Sequence, residues 1–185
     1  MLRTHTSGEL RKEHVGQEAT LCGWVHARRD HGKLIFIDIR DRYGITQIVF
    51  VPSVSKEAHD TAQKLGPEFV ISVTGKVVAR SPKSINADQP TGEVEVCAEK
   101  LEILNPSKLP VFEINTDVET AEDLRLTYRY LDLRRAKVSQ ALITRHKICQ
   151  IMHQVYSDEG FIHVETPVLT ISTPEGARDF LVPAV

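Results

Sequence analysis

"ITQIVFVPSVSKEAHDTAQKLGPEFVISVTGKVVAR", residues 45–80, decides how this chain folds. It begins in a β-branched run from Ile45 to Val51 and ends in another from Phe69 to Arg80. Such runs read as strands, because branched side chains fit a pleated, half-buried surface. Between them Val54, Ala58, Ala62 and Leu65 recur at helical spacing, after a serine able to cap the first turn and before Gly66 as a stop. The piece is therefore strand, helix, strand. Working outward, "ATLCGWVHAR" (19–28) and "KLIFIDIRD" (33–41) supply two strands upstream, and "EVEVCAEKLEIL" (93–104) supplies one downstream.

Three strands, a helix and two more strands is the order of an OB-fold, an all-β barrel of five strands plus one helix. That barrel takes oligonucleotides on its strand 2–3 face and through loops 1–2 and 4–5. A short helix around "SGELRKEHVG" (7–16) is expected ahead of it, stopped by Gly16.

Composition excludes several alternatives. Apolar residues make up 41% and charged residues 26%, an ordinary globular balance. The net charge of −2 leaves a nucleic-acid partner to be decided by where the basic residues sit. No run approaches the ~18 apolar residues of a membrane span, and the first residues form no signal-peptide core. Cys22, Cys97 and Cys149 are an odd, widely spaced set. They read as reduced thiols of a cytoplasmic protein, and neither they nor the eight scattered His make a metal site.

The stretch "LNPSKLPVF" (104–112) breaks the pattern. Asn105, Pro106, Ser107 and Pro110 interrupt any regular element, and apolar spacing changes from alternating to helical across them. The reading is a barrel domain over 1–104, a linker or hinge over 105–136, and the start of an α+β domain over 137–185. In that last part "KVSQALITRHKICQIMHQVYSDEG" (137–160) is a helix with Ile148, Ile151, Met152 and Val155 along one stripe and Gly160 as its stop. "FIHVETPVLT" (161–170) reads as a buried strand ended by Pro167. One helix and one strand cannot bury their apolar faces on each other, so a further sheet or a partner chain is expected over them.

Alternation within "LIFIDIR" (34–40) puts Ile35, Ile37 and Ile39 on the core face, and Leu34, Phe36, Asp38 and Arg40 on the other. Phe36 then shares an outer face with an acid and a base. Two readings follow: a ring covered by the N-terminal helix or loop 1–2, or a platform on which a nucleobase stacks. Arg28, Arg29, Lys33, Arg40, Arg42, Arg80 and Lys83 fall at strand ends and loops that converge in this fold. They are expected either to line a positive groove or to form a solvated rim with pairs such as Arg40–Asp41.

The runs "GFIHVETPVLT", "TLCGWVHARRDHGKLIFIDIRD", "LTYRYLDLRR" and "STPEGARDFLVP" add a family resemblance. The first resembles motif 1 of class II aminoacyl-tRNA synthetases, and the others narrow the likeness to bacterial-type aspartyl-tRNA synthetase along the whole chain. The resemblance implies a ligase that activates aspartate with ATP and Mg²⁺ and transfers it to tRNA, acting as a homodimer. It implies an anticodon-binding barrel in which Phe36 stacks on the central base, Gln47 reads its edge and Arg29 lies nearby. It places Arg80, Asn86 and Glu95 against the flanking bases, Pro167 in the dimer interface and Glu175 on the ammonium group of aspartate. Single-stranded bases are read by stacking and edge hydrogen bonds, which suits a ring, an amide and a carboxylate.

Three positions depart from the family pattern: Ile171 where a polar residue is expected, Ala136 in place of a proline, and the apolar Val78 where some relatives carry a base. Neither of the arginine-bearing ATP motifs nor acidic Mg²⁺ ligands occur between Gly160 and Val185, so the 185-residue chain alone is expected to be inactive. Two functions stay open on the sequence: the anticodon-binding part of an aspartate–tRNA ligase, or a stand-alone tRNA- or RNA-binding module. Acceptance of asparagine tRNA as well as aspartate tRNA is open too, with His31 in loop 1–2 as the position bearing on it.

Overall fold

A computed structural model describes residues 2–116 and 118–168. The chain divides into two compact units, 1–135 and 136–185. In the first, β1 (Glu18–His31), β2 (Leu34–Arg40), β3 (Ile45–Phe50), β4 (Val70–Ala79) and β5 (Val94–Asn105) close a barrel in the order β1-β2-β3-β5-β4. All neighbours are antiparallel except β3 and β5, where Ile48 meets Val96 in parallel. This is the five-stranded arrangement read from the sequence.

Strand β1 closes the barrel because it serves two neighbours. Glu18–Trp24 pairs with β4, while Trp24–His31 pairs with β2, and a register shift between Val25 and Ala27 bends the strand where the change occurs. The β4–β5 pair carries two more shifts, between Val70 and Ile71 and between Thr74 and Gly75. A Cβ on Gly75 would fall 2.1 Å from the Cys97 carbonyl oxygen, so only glycine lets β4 pass that close to β5.

The interior follows the alternation. Leu21, Val25, Ile37, Ile39, Ile48, Phe50, Ile71, Val73, Val77, Val94 and Val96 are all fully buried. Helix α1 (Lys56–Ala62) closes one end with Ala58 and Ala62, joined by Leu65 beyond it, and Ser55 caps it by accepting from the Ala58 N–H at 3.3 Å. Val54, expected on the buried stripe, lies ahead of this cap and is exposed. The N-terminal helix expected over 7–16 is only one 3-10 turn, Lys12–His14, with Gly16 at φ 89° behind it. Close packing explains the truncation: a Cβ on Gly8 would lie 2.2 Å from the Tyr43 carbonyl oxygen, so this segment follows the barrel wall instead of coiling.

Residues 105–135 stay with the barrel unit. Phe112 and Ile114 are buried, and the Asn115 amide donates to the His26 carbonyl at 2.9 Å. Within the expected linker, the stretch after Ala121 forms two short helices, α2 (Glu122–Thr127) and α3 (Arg129–Asp132), broken at Tyr128. Asp132, fully buried, takes Arg125 and Arg129 at 2.9 and 2.6 Å. The hydrogen bond from Arg125 holds its carboxyl below the usual range.

In the second unit α4 (Ala136–Asp158) ends in a Schellman turn. The Phe161 N–H donates to the Tyr156 carbonyl, the Gly160 N–H donates to that of Ser157, and Gly160 takes φ 85°. Ile148, Ile151, Met152 and Val155 share one side of α4 and are exposed. The strand expected from Phe161 onward does not form: residues 161–167 are irregular and exposed. A strand needs a hydrogen-bonded neighbour, and the described residues of this unit offer only a helix.

Candidate nucleic-acid interface

The outward-facing side chains of β1, β2, β3 and β5 form one hydrogen-bonded row. Arg29 on β1 stands opposite Phe36 on β2, and Asp38 stands opposite Gln47 on β3. The Arg29 Nη2 donates to Asp38 Oδ1 at 2.8 Å and to Gln47 Oε1 at 3.1 Å. Gln47 Nε2 in turn donates to Glu95 Oε2 on β5 at 2.6 Å. Period-2 alternation puts Asp38, Gln47 and Glu95 in this row, each one step out of phase with a core residue, and the register shift after Val25 brings Arg29 to them.

Phe36 lies beside the row with its ring half-exposed. His31, which the structure places at the end of β1 rather than in loop 1–2, meets it edge to face at 5.7 Å between ring centroids. Part of the Phe36 ring is therefore covered and part faces outward.

Arg80 differs from a surface phosphate contact. It is only 7% exposed, and it donates from Nε to the Val94 carbonyl at 3.1 Å and from Nη1 to that of Ser84 at 3.4 Å. Its Nη2 is buried with no hydrogen-bond partner among the described residues. Burial lowers the guanidinium's pKa, with Glu95 and Asp38 opposing that shift. The side chain therefore ties the root of loop 4–5 beneath the row. Within that loop the Asn86 Oδ1 accepts from the Asp88 N–H, and the Asn86 N–H donates to the Gly92 carbonyl. The loop also reaches β3, where the Thr91 hydroxyl donates to the Ile45 carbonyl.

Of the two outcomes left open for the basic residues, a positive groove or a rim of ion pairs, Arg28 and Arg40 follow the second, though not with the pair Arg40–Asp41. Arg28 turns toward α1, donating to the Gln63 carbonyl at 2.7 Å and pairing with Asp30 at 2.8 Å. Arg40 pairs with Glu68 at 2.8 Å rather than with Asp41, which takes Arg3 at 3.1 Å instead. Asp41 is committed elsewhere because the Ser7, Tyr43 and Gly44 N–H groups also donate to it. Arg42 sits 5.0 Å from the centroid of the Tyr43 ring. Alternation located the outer face but carried no information on which cations local acids would capture.

A second polar cluster joins the hinge to the barrel. Arg134 lies 3.6 Å from Glu68 and 4.7 Å from the centroid of Trp24, and Arg40 also donates to His26 Nδ1 at 2.9 Å. Burial, then the neighbouring Arg40 charge, hold the His26 imidazole below its usual pKa. Sequence reading passed over Glu68, whose backbone takes φ 62° in the turn before β4. Pro167 is exposed in the second unit, and Glu175 lies outside the described residues.

Two family descriptions divide the chain. "OB-fold nucleic acid binding domain" matches residues 19–104, and "tRNA synthetases class II (D, K and N)" matches residues 121–185. Barrel and hinge therefore carry the sequence of a class II tRNA synthetase with an OB-fold domain at its front. Along its whole length the chain is similar to aspartate–tRNA ligases of that class. It is 57% identical over 178 residues to the aspartate–tRNA(Asp/Asn) ligase of Brachyspira hyodysenteriae, covering 96% of this chain and 30% of that protein. It is 51% identical over 184 residues to the aspartate–tRNA ligase of Geobacillus kaustophilus, covering 100% of this chain and 31% of that one. The chain thus spans about a third of the length of these relatives. Among solved structures, asparaginyl-tRNA synthetase from Pyrococcus horikoshii superposes with a TM-score of 0.78 at 30% identity, over 92% of this chain and 39% of that one. Among the described residues no helix is long and apolar enough to cross a membrane.

Proposed function

We propose that this chain is the anticodon-binding part of an aspartate–tRNA ligase, and that the Arg29–Asp38–Gln47–Glu95 row with Phe36 is the surface that meets the anticodon. The observation that carries the reading is the half-open Phe36 ring set beside a polar row whose groups have fixed directions. A ring supplies the face on which an unpaired base stacks, and an amide between a cation and an anion supplies edge contacts. Loop 4–5, held from below by Arg80, flanks the row with Asn86. His31 stands against Phe36, where a change in the ring's packing would alter which bases fit. The relatives include both aspartate–tRNA and aspartate–tRNA(Asp/Asn) ligases, so the choice between the two tRNAs belongs to the experiment.

The ligase reaction, with aspartate, ATP and Mg²⁺ as its reactants and Glu175 on the aspartate ammonium, enters the proposal through the family. Among the described residues no three His, Cys, Asp or Glu side chains converge as a metal site would need, so no adenylate step is assigned to them. The exposed stripe on α4, together with Pro167, supports a homodimer in which a second copy covers that face. The test is a titration with the anticodon stem-loop of aspartate tRNA against a stem-loop with the same stem and a scrambled loop. The reading requires tighter binding of the first. Equal binding of both, with a steep salt dependence, would leave only non-specific phosphate attraction.

A further inference from the structure

We infer that Asp38 is a positioning residue for base discrimination: it fixes the direction of the Gln47 amide by holding Arg29 against it. The inference rests on the anticodon reading above and adds to it a residue that need not touch RNA. An amide can lie either way round, and only its neighbours decide which. Arg29 can only donate, and ionised Glu95 can only accept. With Arg29 at 3.1 Å from Oε1 and Glu95 at 2.6 Å from Nε2, one orientation satisfies both, and the flipped one sets like dipoles against both charges.

Gln47 itself is 9% exposed, so it cannot relieve a flipped amide by swinging into water. In the satisfied orientation it keeps one N–H and one acceptor lone pair for a ligand, side by side, with the donor on the β5 side. That is a fixed pattern, and a base edge of matching polarity is the chemistry it recognises.

The weak point of this lock is Arg29. Its long side chain is 46% exposed, with many rotamers in which the guanidinium would leave Gln47 for solvent. Asp38 prevents that. It is 6% exposed, sits directly across the ladder from Gln47, and accepts from the same Nη2 that donates to Gln47. A charge-assisted bond from a rigid strand thus holds a mobile cation over a buried amide.

The experiment uses the full 185-residue chain and four anticodon stem-loops that differ only in the central base. For wild type, Asp38→Asn, Gln47→Ala and the double variant, the Kd for each stem-loop gives a discrimination ratio. Asp38→Asn should compress that ratio by about tenfold, the scale of one hydrogen bond to a charged group. In the Gln47→Ala background, Asp38→Asn should compress it no further, because Asp38 acts only through Gln47. Side-chain amide resonances of Gln47 in the RNA-free protein give an independent reading, and they should lose their separation from solvent-exposed amides in Asp38→Asn. Should that variant fail to fold, the same resonances in Arg29→Gln report on the lock. An unchanged ratio, a uniform weakening of all four stem-loops, multiplying effects in the double variant, or undisturbed Gln47 amide signals would each overturn the inference. Absence of any discrimination by the wild type would instead overturn the anticodon reading on which it rests.

Discussion

Removing the Phe36 ring separates binding from folding. In Phe36→Ala the lost stacking should weaken the anticodon stem-loop by ~1–3 kcal/mol, or about 5- to 150-fold in Kd. The effect on the fold is set by what the ring touches in the free protein. Its neighbours Ile35 and Ile37 point into the barrel, while Phe36 itself is half-exposed, with His31 against one edge. An aromatic pair of this kind contributes ~0.5–1.5 kcal/mol, so the thermal midpoint should fall by several degrees at most. Phe50→Ala provides the contrast, since Phe50 is fully buried and its loss should cost ~3–5 kcal/mol. The assay is stem-loop binding by fluorescence anisotropy, paired with urea unfolding of the same samples. A Phe36 variant that binds RNA normally, or that is as unstable as the Phe50 variant, would refute the stacking role.

Three further outcomes follow from the same geometry. Arg80→Ala should loosen loop 4–5, raising hydrogen exchange at the Ser84, Asn86 and Gly92 amides and weakening stem-loop binding. Its salt slope should stay near that of wild type, because a buried guanidinium is not a phosphate contact; a slope reduced by about one would restore the phosphate reading. Asp132 is held below the ordinary carboxylate range by Arg125, so its contribution is present above the unfolded value and lost as pH falls through the folded one. Thermal midpoints should therefore drop on the acid side more steeply in wild type than in Asp132→Asn, and parallel curves would contradict this. Residues 1–104 should fold cooperatively alone, yet unfold at lower urea than 1–135. The longer piece adds buried Phe112 and Ile114 and the Arg134 contact with Trp24, together about 2–5 kcal/mol. Coincident unfolding curves would show that the hinge adds nothing.

The barrel was legible because its signals are local. Ile35, Ile37 and Ile39 announce a core face by alternation alone, and the capped helix between β3 and β4 fixes the strand order. The polar row was half legible. Phe36 and Asp38 fall on the outer face by parity, but that Asp38 reaches Arg29 depends on a β1–β2 register set by the bulge after Val25. No local pattern encodes that register. The fate of the arginines was the least legible part. Arg40 finds Glu68, 28 positions away, and Asp41 is taken by the Arg3 side chain and the Ser7 N–H, more than 30 positions upstream. The segment after Gly160 shows the opposite limit: its apolar alternation is plain, but a strand exists only where a second strand accepts its hydrogen bonds.

Chemical-shift mapping of the full chain with the aspartate anticodon stem-loop tests the central claim most directly. The account predicts the largest changes at Phe36, Gln47, Glu95 and Asn86, the indicator signals of Arg29 and His31 moving with them, and little change at Trp24, Glu68 and Arg134. Changes centred on the Glu68 cluster or on α4, with the Phe36–Gln47 face unmoved, would contradict it.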